Sequence, residues 1–360
     1  MANVLDDRAA IARYDGGGML EAIPRLAEQL ADGWARSRSL ELPASHRDPD
    51  SVTVLGMGGS AIGADLVRAI FSDRLRVPLV TVRDYDLPAH AGPRTLIVAA
   101  SHSGATEETL SALAQAISRG CPVAAIGTGG PLMAAARKGA LPHLEYAGEA
   151  QPRASVGSGV ALLAGLLDRA GSLAVSGEEF AEASASVHEM ASRCGPSVPT
   201  EQNPAKQLAW SLVDRLPVVE AGGFLGPVAR RWKTQLNENA KTVAAWEELP
   251  EATHNAVVGY AQPEILHERT FVVFLASPDD HPRVALRRSL SIDLLAERQI
   301  GHEVVAVGGR GRLAQAFSAI ALGDFTSVYL AILYGLDPTP VAAITYVKER
   351  LAMADPDAVD

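Results

Sequence analysis

Residues 101–109 read Ser-His-Ser-Gly-Ala-Thr-Glu-Glu-Thr, directly after the apolar run Leu96-Ile97-Val98-Ala99-Ala100 and directly before a stretch with helical periodicity. Ser101, Ser103 and Thr106 supply three hydroxyls, and Gly104 permits close backbone approach, where a helix starts and its first amide N–H groups have no internal partner. Such a set cradles a phosphate. Glu107 and Glu108 suit the first turn through the helix dipole, so the helix start stands without any ligand. The lysine of a Walker loop is absent, which suits a phosphate that is gripped and released rather than transferred. The bland reading is a serine-rich turn that caps a helix.

A second loop, Gly-Met-Gly-Gly-Ser-Ala-Ile-Gly-Ala-Asp from Gly56 to Asp65, has the glycine density of a dinucleotide fingerprint. A ribose-binding acid should then end the next strand, where Val82-Arg83-Asp84-Tyr85-Asp86 puts an arginine ahead of its acids and is ambiguous. The hydroxyl-rich loop after another strand of the same sheet makes an NAD-dependent oxidoreductase the weaker reading. Two helix-opening loops, one with Gly58, Gly59 and Ser60 and one with Ser101, Ser103 and Thr106, can converge at the carboxyl edge of a parallel sheet and enclose one small phosphorylated ligand.

The elements that must position these loops are legible as apolar runs separated by helical patterns. Strands are expected at Ser51 to Leu55, Pro78 to Val82, Leu96 to Ala100, Pro122 to Ile126 and Leu141 to Tyr146, in a mainly parallel sheet covered on both faces. Met19 to Arg38 reads as an amphipathic helix interrupted by Pro24, and about Val156 to Ser192 as two helices joining two halves. The second half repeats the plan. Pro217 to Ala221 precedes Gly222-Gly223 as Val52 to Leu55 precedes the first glycine loop, and Gly301 to Gly309 echoes Gly120 to Gly127. Phe271 to Ala276 stands where the cradle strand stands, but Ser277-Pro278-Asp279-Asp280 follows it, so this copy should not bind phosphate.

With 360 residues the chain is long enough for two domains, and its formal charge of −10 with dispersed Lys and Arg argues against a nucleic-acid partner. Two cysteines far apart, Cys121 and Cys194, fit a reduced compartment. The opening Met-Ala-Asn-Val-Leu-Asp-Asp is acidic where a signal peptide is basic, and no apolar stretch is expected to approach a membrane span. A cytoplasmic protein is expected. The nine histidines form no His-x-x-x-His pair and there is no Cys-x-x-Cys, so no metal is expected.

Four segments together carry a resemblance. The Gly56 loop, the Ser-x-Ser-Gly-x-Thr-Glu-Glu-Thr string, Gln151-Pro152-Arg153-Ala154, and the run Asn237-Glu238-Asn239-Ala240-Lys241 followed by Leu249-Pro250-Glu251-Ala252-Thr253-His254-Asn255 are similar to the bifunctional phosphoglucose/phosphomannose isomerases. The similarity extends over nearly the whole chain, from Tyr14-Asp15 to Ile344 to Leu351. It implies an α/β fold of two sugar isomerase (SIS) domains, each a mainly parallel sheet flanked by helices in an αβα sandwich. Residues 1–152 would form the first domain, with the phosphate loops. Residues 153–360 would form the second, with the linking helices.

By this resemblance the chain interconverts glucose 6-phosphate, and mannose 6-phosphate, with fructose 6-phosphate through a cis-enediol, without cofactor. Glu238 is then the base that moves a proton between C1 and C2, a task one carboxylate on one face of the enediol can perform. Arg153 stabilises the enediolate, as a fixed guanidinium would. His254 opens the sugar ring from the neighbouring subunit, which implies a homodimer with a shared site, and Lys348 assists at the ring oxygen. Ser60, Ser101, Ser103 and Thr106 hold the phosphate with Gly58 and Gly59. Each has a plain alternative: an exposed helix end for Glu238, a junction salt bridge for Arg153, a capping role for His254, a solvated face for Lys348. His102 and Ala105 depart from the family's commoner residues. The rival function is a phosphosugar-binding regulatory SIS protein without turnover, whose mark would be a missing base or arginine.

Overall fold

In the computed structural model, which describes residues 4–354, the apolar runs of the first half form one parallel sheet. Its strands are β1 (Ser51–Leu55), β2 (Leu79–Val82), β3 (Thr95–Ser101), β4 (Val123–Gly127) and β5 (His143–Glu145), in the order β2-β1-β3-β4-β5. All seven residues of β3 are buried, as expected of a central parallel strand covered by helices on both faces. The second half forms a separate four-stranded sheet from β6 (Leu216–Gly222), β7 (Ala245–Leu249), β8 (Thr270–Ala276) and β9 (Gly301–Ala306), ordered β7-β6-β8-β9. Numbered within its own half, that is the order of the first four strands again, as duplication predicts. β7 has no counterpart among the expected strands.

Helices follow the strands. At the start of the chain, the Asp7 carboxylate caps α1 (Arg8–Tyr14) by accepting from the amides of Ala9 at 2.9 Å and Ala10 at 3.2 Å. The expected helix from Met19 to Arg38 is split near Pro24 into α2 (Met19–Ala22) and α3 (Leu26–Arg38). In the first half α4 (Gly58–Ile70), α5 (Glu107–Ser118) and α6 (Gly130–Lys138) leave the carboxyl ends of β1, β3 and β4. The linking pair is α7 (Val156–Arg169) and α8 (Gly177–Cys194), the latter opened by a capping box between Ser176 and Glu179. Next come α9 (Pro204–Leu212), α10 (Gly226–Ala240) after β6, the short α11 (Ala256–Gly259), α12 (Pro282–Glu297) after β8, α13 (Arg312–Leu333) after β9, and α14 (Ala342–Met353).

One apolar core joins the halves. It takes Val52 and Val54 from β1, Leu162 from α7, Val219 from β6, Val273 from β8 and Phe317 from α13. Every residue from Leu313 to Ile332 of α13 is buried. Gly323 lets the Trp232 indole lie against α13, since a Cβ there would stand 2.4 Å from the ring, and the indole N–H donates to the Ala319 carbonyl at 2.9 Å. The expectation that no apolar stretch approaches a membrane span is corrected by this helix. With 22 residues and mean hydropathy 1.7 it is long and apolar enough, but 94% of the window is buried inside the fold. Cys121 and Cys194 are both free and buried.

Candidate active site

The order β2-β1-β3 places the exits of β1 and β3 side by side, and the helices that follow them open at the same edge of the sheet. This is the strand-order switch at which open α/β sheets take ligands. The Ser101 hydroxyl, buried at the end of β3, accepts from the Gly104 amide at 3.0 Å and shares a 2.8 Å hydrogen bond with Thr106. Ser103 is exposed, and its hydroxyl accepts from the Ala105 amide at 3.2 Å. Neither α4 nor α5 has a side-chain cap, so the amides at both helix starts face the loops unclaimed by side chains of the described residues.

Gly104 has a second reason to be glycine. Its φ is +66°, and a Cβ would stand 2.0 Å from the Gly129 carbonyl oxygen, while one on Gly130 would stand 2.4 Å from that of Ser103. The Gly129-Gly130 turn therefore buttresses the cradle from behind, a support not evident in the sequence because it comes from the next strand exit.

The glycine loop meets the arginine directly. A Cβ on Gly59 would lie 3.1 Å from the Pro152 carbonyl oxygen and 3.7 Å from Arg153 Cα, so the start of α4 abuts the turn at Pro152–Ser155. Gly59, Ser60, His102, Tyr146, Pro152 and Ser155 line a pocket of about 20 Å³, room for one water. His102 Nε2 lies 3.1 Å from the Glu149 carbonyl oxygen, its ring stands edge-on to Tyr146, and burial lowers its pKa. Burial pushes the Tyr146 phenol up to about 12.

Arg153 is 2% exposed and fully engaged. Nε donates to Asn239 Oδ1 at 2.7 Å, one terminal nitrogen to Gln151 Oε1 at 2.9 Å and Glu238 Oε2 at 3.4 Å, and the other to the Pro338 and Thr339 carbonyls at 2.8 Å each. Burial lowers the Arg153 pKa, against the pull of Glu238. Glu238 stands near the end of α10 with its side chain 30% exposed. The helix ends at Lys241 in the left-handed region (φ 55°), whose Nζ donates to the carbonyls of Asn239, Asp337 and Pro338. Burial and then Arg153 lower the Lys241 pKa.

Arg153 and Glu238 are thus brought together and set against the start of α4. His254 and Lys348 stand apart within this one chain. His254 is exposed at the end of the turn Glu251–His254 after β7, and its side chain makes no hydrogen bond among the described residues. Lys348 lies on α14, whose residues from Ala342 to Leu351 are exposed. Arg83, where a ribose-binding acid would stand, is instead paired with Asp65 of the glycine loop, to which Arg230 of α10 also reaches at 3.3 Å. In the second sheet, acids of the chain fill the corresponding loop: Asp279 accepts from Gln315 at 2.7 Å, Asp280 pairs with Arg288, and the Glu248 carboxylate packs against Gly226 at the start of α10. Among the described residues no group of three or more His, Cys, Asp or Glu side chains could hold a metal ion.

Residues 201–351 match the family model for the bacterial phospho-glucose isomerase C-terminal SIS domain. The bifunctional phosphoglucose/phosphomannose isomerase of Caldicellulosiruptor bescii is 36% identical over 335 residues, covering 93% of this chain and 99% of the relative. That of Aquifex aeolicus is 32% identical over 301 residues, covering 83% of this chain and 90% of the relative. Among solved structures, a glucose-6-phosphate isomerase like protein from Thermus thermophilus superposes with TM-score 0.63 at 21% identity, covering 93% of this chain and 96% of that one. The fold is that of the SIS phosphosugar proteins.

Proposed function

Because the chain belongs to the bifunctional phosphoglucose/phosphomannose isomerase family, we propose that it interconverts glucose 6-phosphate and mannose 6-phosphate with fructose 6-phosphate. The carrying observation is the Arg153–Glu238 pair at 3.4 Å, set beside the glycine loop through the Gly59–Pro152 contact. In the open-chain aldose, the Glu238 carboxylate takes the C2 proton, the C–H electrons form the C1=C2 bond, and the C1 carbonyl oxygen takes the charge beside the Arg153 guanidinium. A proton passes to O1 and leaves O2 as C2 becomes the carbonyl, and protonated Glu238 returns its proton to C1. The buried arginine costs no reorganisation when the charge appears, since five hydrogen bonds already hold it.

Ser60, Ser101, Ser103 and Thr106, with the amides of Gly58 and Gly59, hold the phosphate in this reading. His254 opens the ring at the partner subunit's site and Lys348 assists it. The exposure of both residues supports a site completed across a homodimer. So does apolar surface: Leu286, Leu290 and Leu294 recur every four residues on α12, and Ile344, Val347 and Leu351 recur at steps of three and four on α14, all at least 37% exposed. We place the division between the two SIS domains at residues 152 and 153, each containing one sheet, and the free buried thiols support a cytoplasmic setting.

The test is turnover of both aldose phosphates with a chelator present, in D2O, followed by mass and NMR analysis of the product. The reading expects ketose formation and solvent deuterium at C1, since the carboxylate exchanges its proton. Phosphosugar binding with no turnover would replace it with the regulatory reading.

A further inference from the structure

Asn239 follows the base in α10 but points the other way. Its side chain is 0% exposed, while that of Glu238 is 30% exposed towards the site. A step of about 100° around the helix separates the two, so one helix turn presents one residue to the cleft and the next to the core. There Asn239 Oδ1 accepts from Arg153 Nε at 2.7 Å, and Nδ2 donates to Ser327 Oγ of α13 at 2.9 Å. The Ser327 hydroxyl in turn donates to the Asp324 carbonyl at 2.8 Å. The amide has only one orientation that fits, because a guanidinium offers donors alone and the serine hydroxyl is already donating elsewhere.

This bond fixes a plane. The carbonyls of Pro338 and Thr339 hold one terminal nitrogen of Arg153, but a guanidinium held at one end pivots about that contact. The bond at Nε removes the pivot and leaves the remaining terminal nitrogen aimed at Gln151 and Glu238. Arg231 braces the same segment, donating to the Arg153 carbonyl at 3.0 Å and to Asp324 at 2.6 Å. Arg153, Asn239, Ser327, Arg231 and Asp324 all lie in the core, so water cannot take the place of a missing partner among them without cost.

We infer that Asn239, itself anchored by Ser327, is the positioning residue that aims Arg153 at the oxygens on which enediolate charge develops. The inference rests on the isomerase reading of the site. It assigns Asn239 no contact with substrate, and it predicts that the loss falls on the anionic intermediate and spares the bound sugar.

The experiment compares two inhibitors of the full-length enzyme: a five-carbon aldonate 5-phosphate, whose carboxylate mimics the enediolate, and a six-carbon alditol 6-phosphate, which is uncharged at C1 and C2. In Asn239→Ala the aldonate phosphate should bind about tenfold more weakly and kcat should fall by a similar factor, the order expected when a bond to a charged group is lost. Affinity for the alditol phosphate and KM should change less than twofold. Equal weakening of both inhibitors, or of neither, overturns the inference. Should Asn239→Ala fail to fold, Ser327→Ala carries the test, with the same selective loss at about threefold and no selective loss as the refuting result. A wild-type protein that turns over neither aldose phosphate refutes the isomerase reading; active wild type with a non-selective variant refutes only the role of Asn239.

Discussion

Arg153 and Glu238 approach to 3.4 Å, the first with 2% of its side chain exposed and the second with 30%. The asymmetry suits the tasks proposed for them. A charge stabiliser works best when its surroundings fix it before the charge appears, whereas a base that serves C1 and C2 in turn needs freedom to swing between them. Replacing Glu238 with Gln keeps the shape and the contact but removes proton acceptance. Both isomerase activities should fall at least ~100-fold, the lower end of what general-base catalysis contributes, with KM for either aldose phosphate nearly unchanged. Steady-state kinetics decide, and near-wild-type kcat would move the proton transfer to another residue.

The proposed phosphate cradle makes a prediction that separates its hydroxyls. Ser101 is buried and holds both Gly104 and Thr106, so Ser101→Ala should loosen the loop as well as weaken binding. Thr106→Ala removes one bond at a half-buried position. Each charge-assisted bond to phosphate contributes roughly 1.5–3 kcal/mol, so both variants should bind a phosphorylated inhibitor at least ~10-fold more weakly by calorimetry. Only Ser101→Ala should also increase amide hydrogen exchange across residues 101–106. Equal affinity of the wild type for glucose and glucose 6-phosphate would remove the cradle assignment altogether.

What the sequence reveals follows from how local the physics is. β3 is legible because a parallel strand buried on both faces must be apolar throughout, and Thr95 to Ser101 is nearly so. β7 reads Ala-Trp-Glu-Glu-Leu on a sheet edge where its first four residues keep some exposure, so it offers neither an apolar run nor strict alternation. The hydroxyls of Ser101, Ser103 and Thr106 likewise fall within six consecutive residues whose types alone announce them, whereas the Gly129-Gly130 turn behind them comes from the next strand exit. Arg153 is different. Its partners Asn239 and Pro338 lie 86 and 185 positions away, and two of its five bonds are to backbone carbonyls that any residue could supply. No spacing rule reaches them. The resemblance points to the residue, and packing of α10 and α13 explains why it is held.

Glu220 makes a prediction about stability. It lies buried on β6, paired in register with Glu247 of β7, and its Oε1 has no hydrogen-bond partner among the described residues. Burial, and then the Glu247 charge, push its pKa from the ordinary 4.5 up to about 7. An acid whose folded pKa is raised destabilises the fold once it ionises. The penalty is full above pH 7, shrinks as pH falls through the window from 7 to 4.5, and is absent below it. Glu220→Gln should therefore stabilise the protein by roughly 1–3 kcal/mol at pH 8 and by much less at pH 5. Urea unfolding at the two pH values tests this, and a gain equal at both would mean that Glu220 does not carry the charge.

His254 is exposed on its turn and makes no side-chain hydrogen bond among the described residues, as a residue that serves a partner's site would be in a single chain. On the proposed shared site, a His254→Ala chain and a Glu238→Gln chain carry defects that belong to opposite sites of a dimer. In the mixed dimer one site collects both lesions and the other is intact. Random exchange of equal amounts gives about half mixed dimers, each with one good site, so activity should recover to roughly a quarter of wild type when sites act independently. Differently tagged chains allow the mixed dimer to be isolated and its composition verified before assay. If that species is no more active than the average of the two mutant homodimers, His254 serves its own chain's site or none, and the shared site is lost with it.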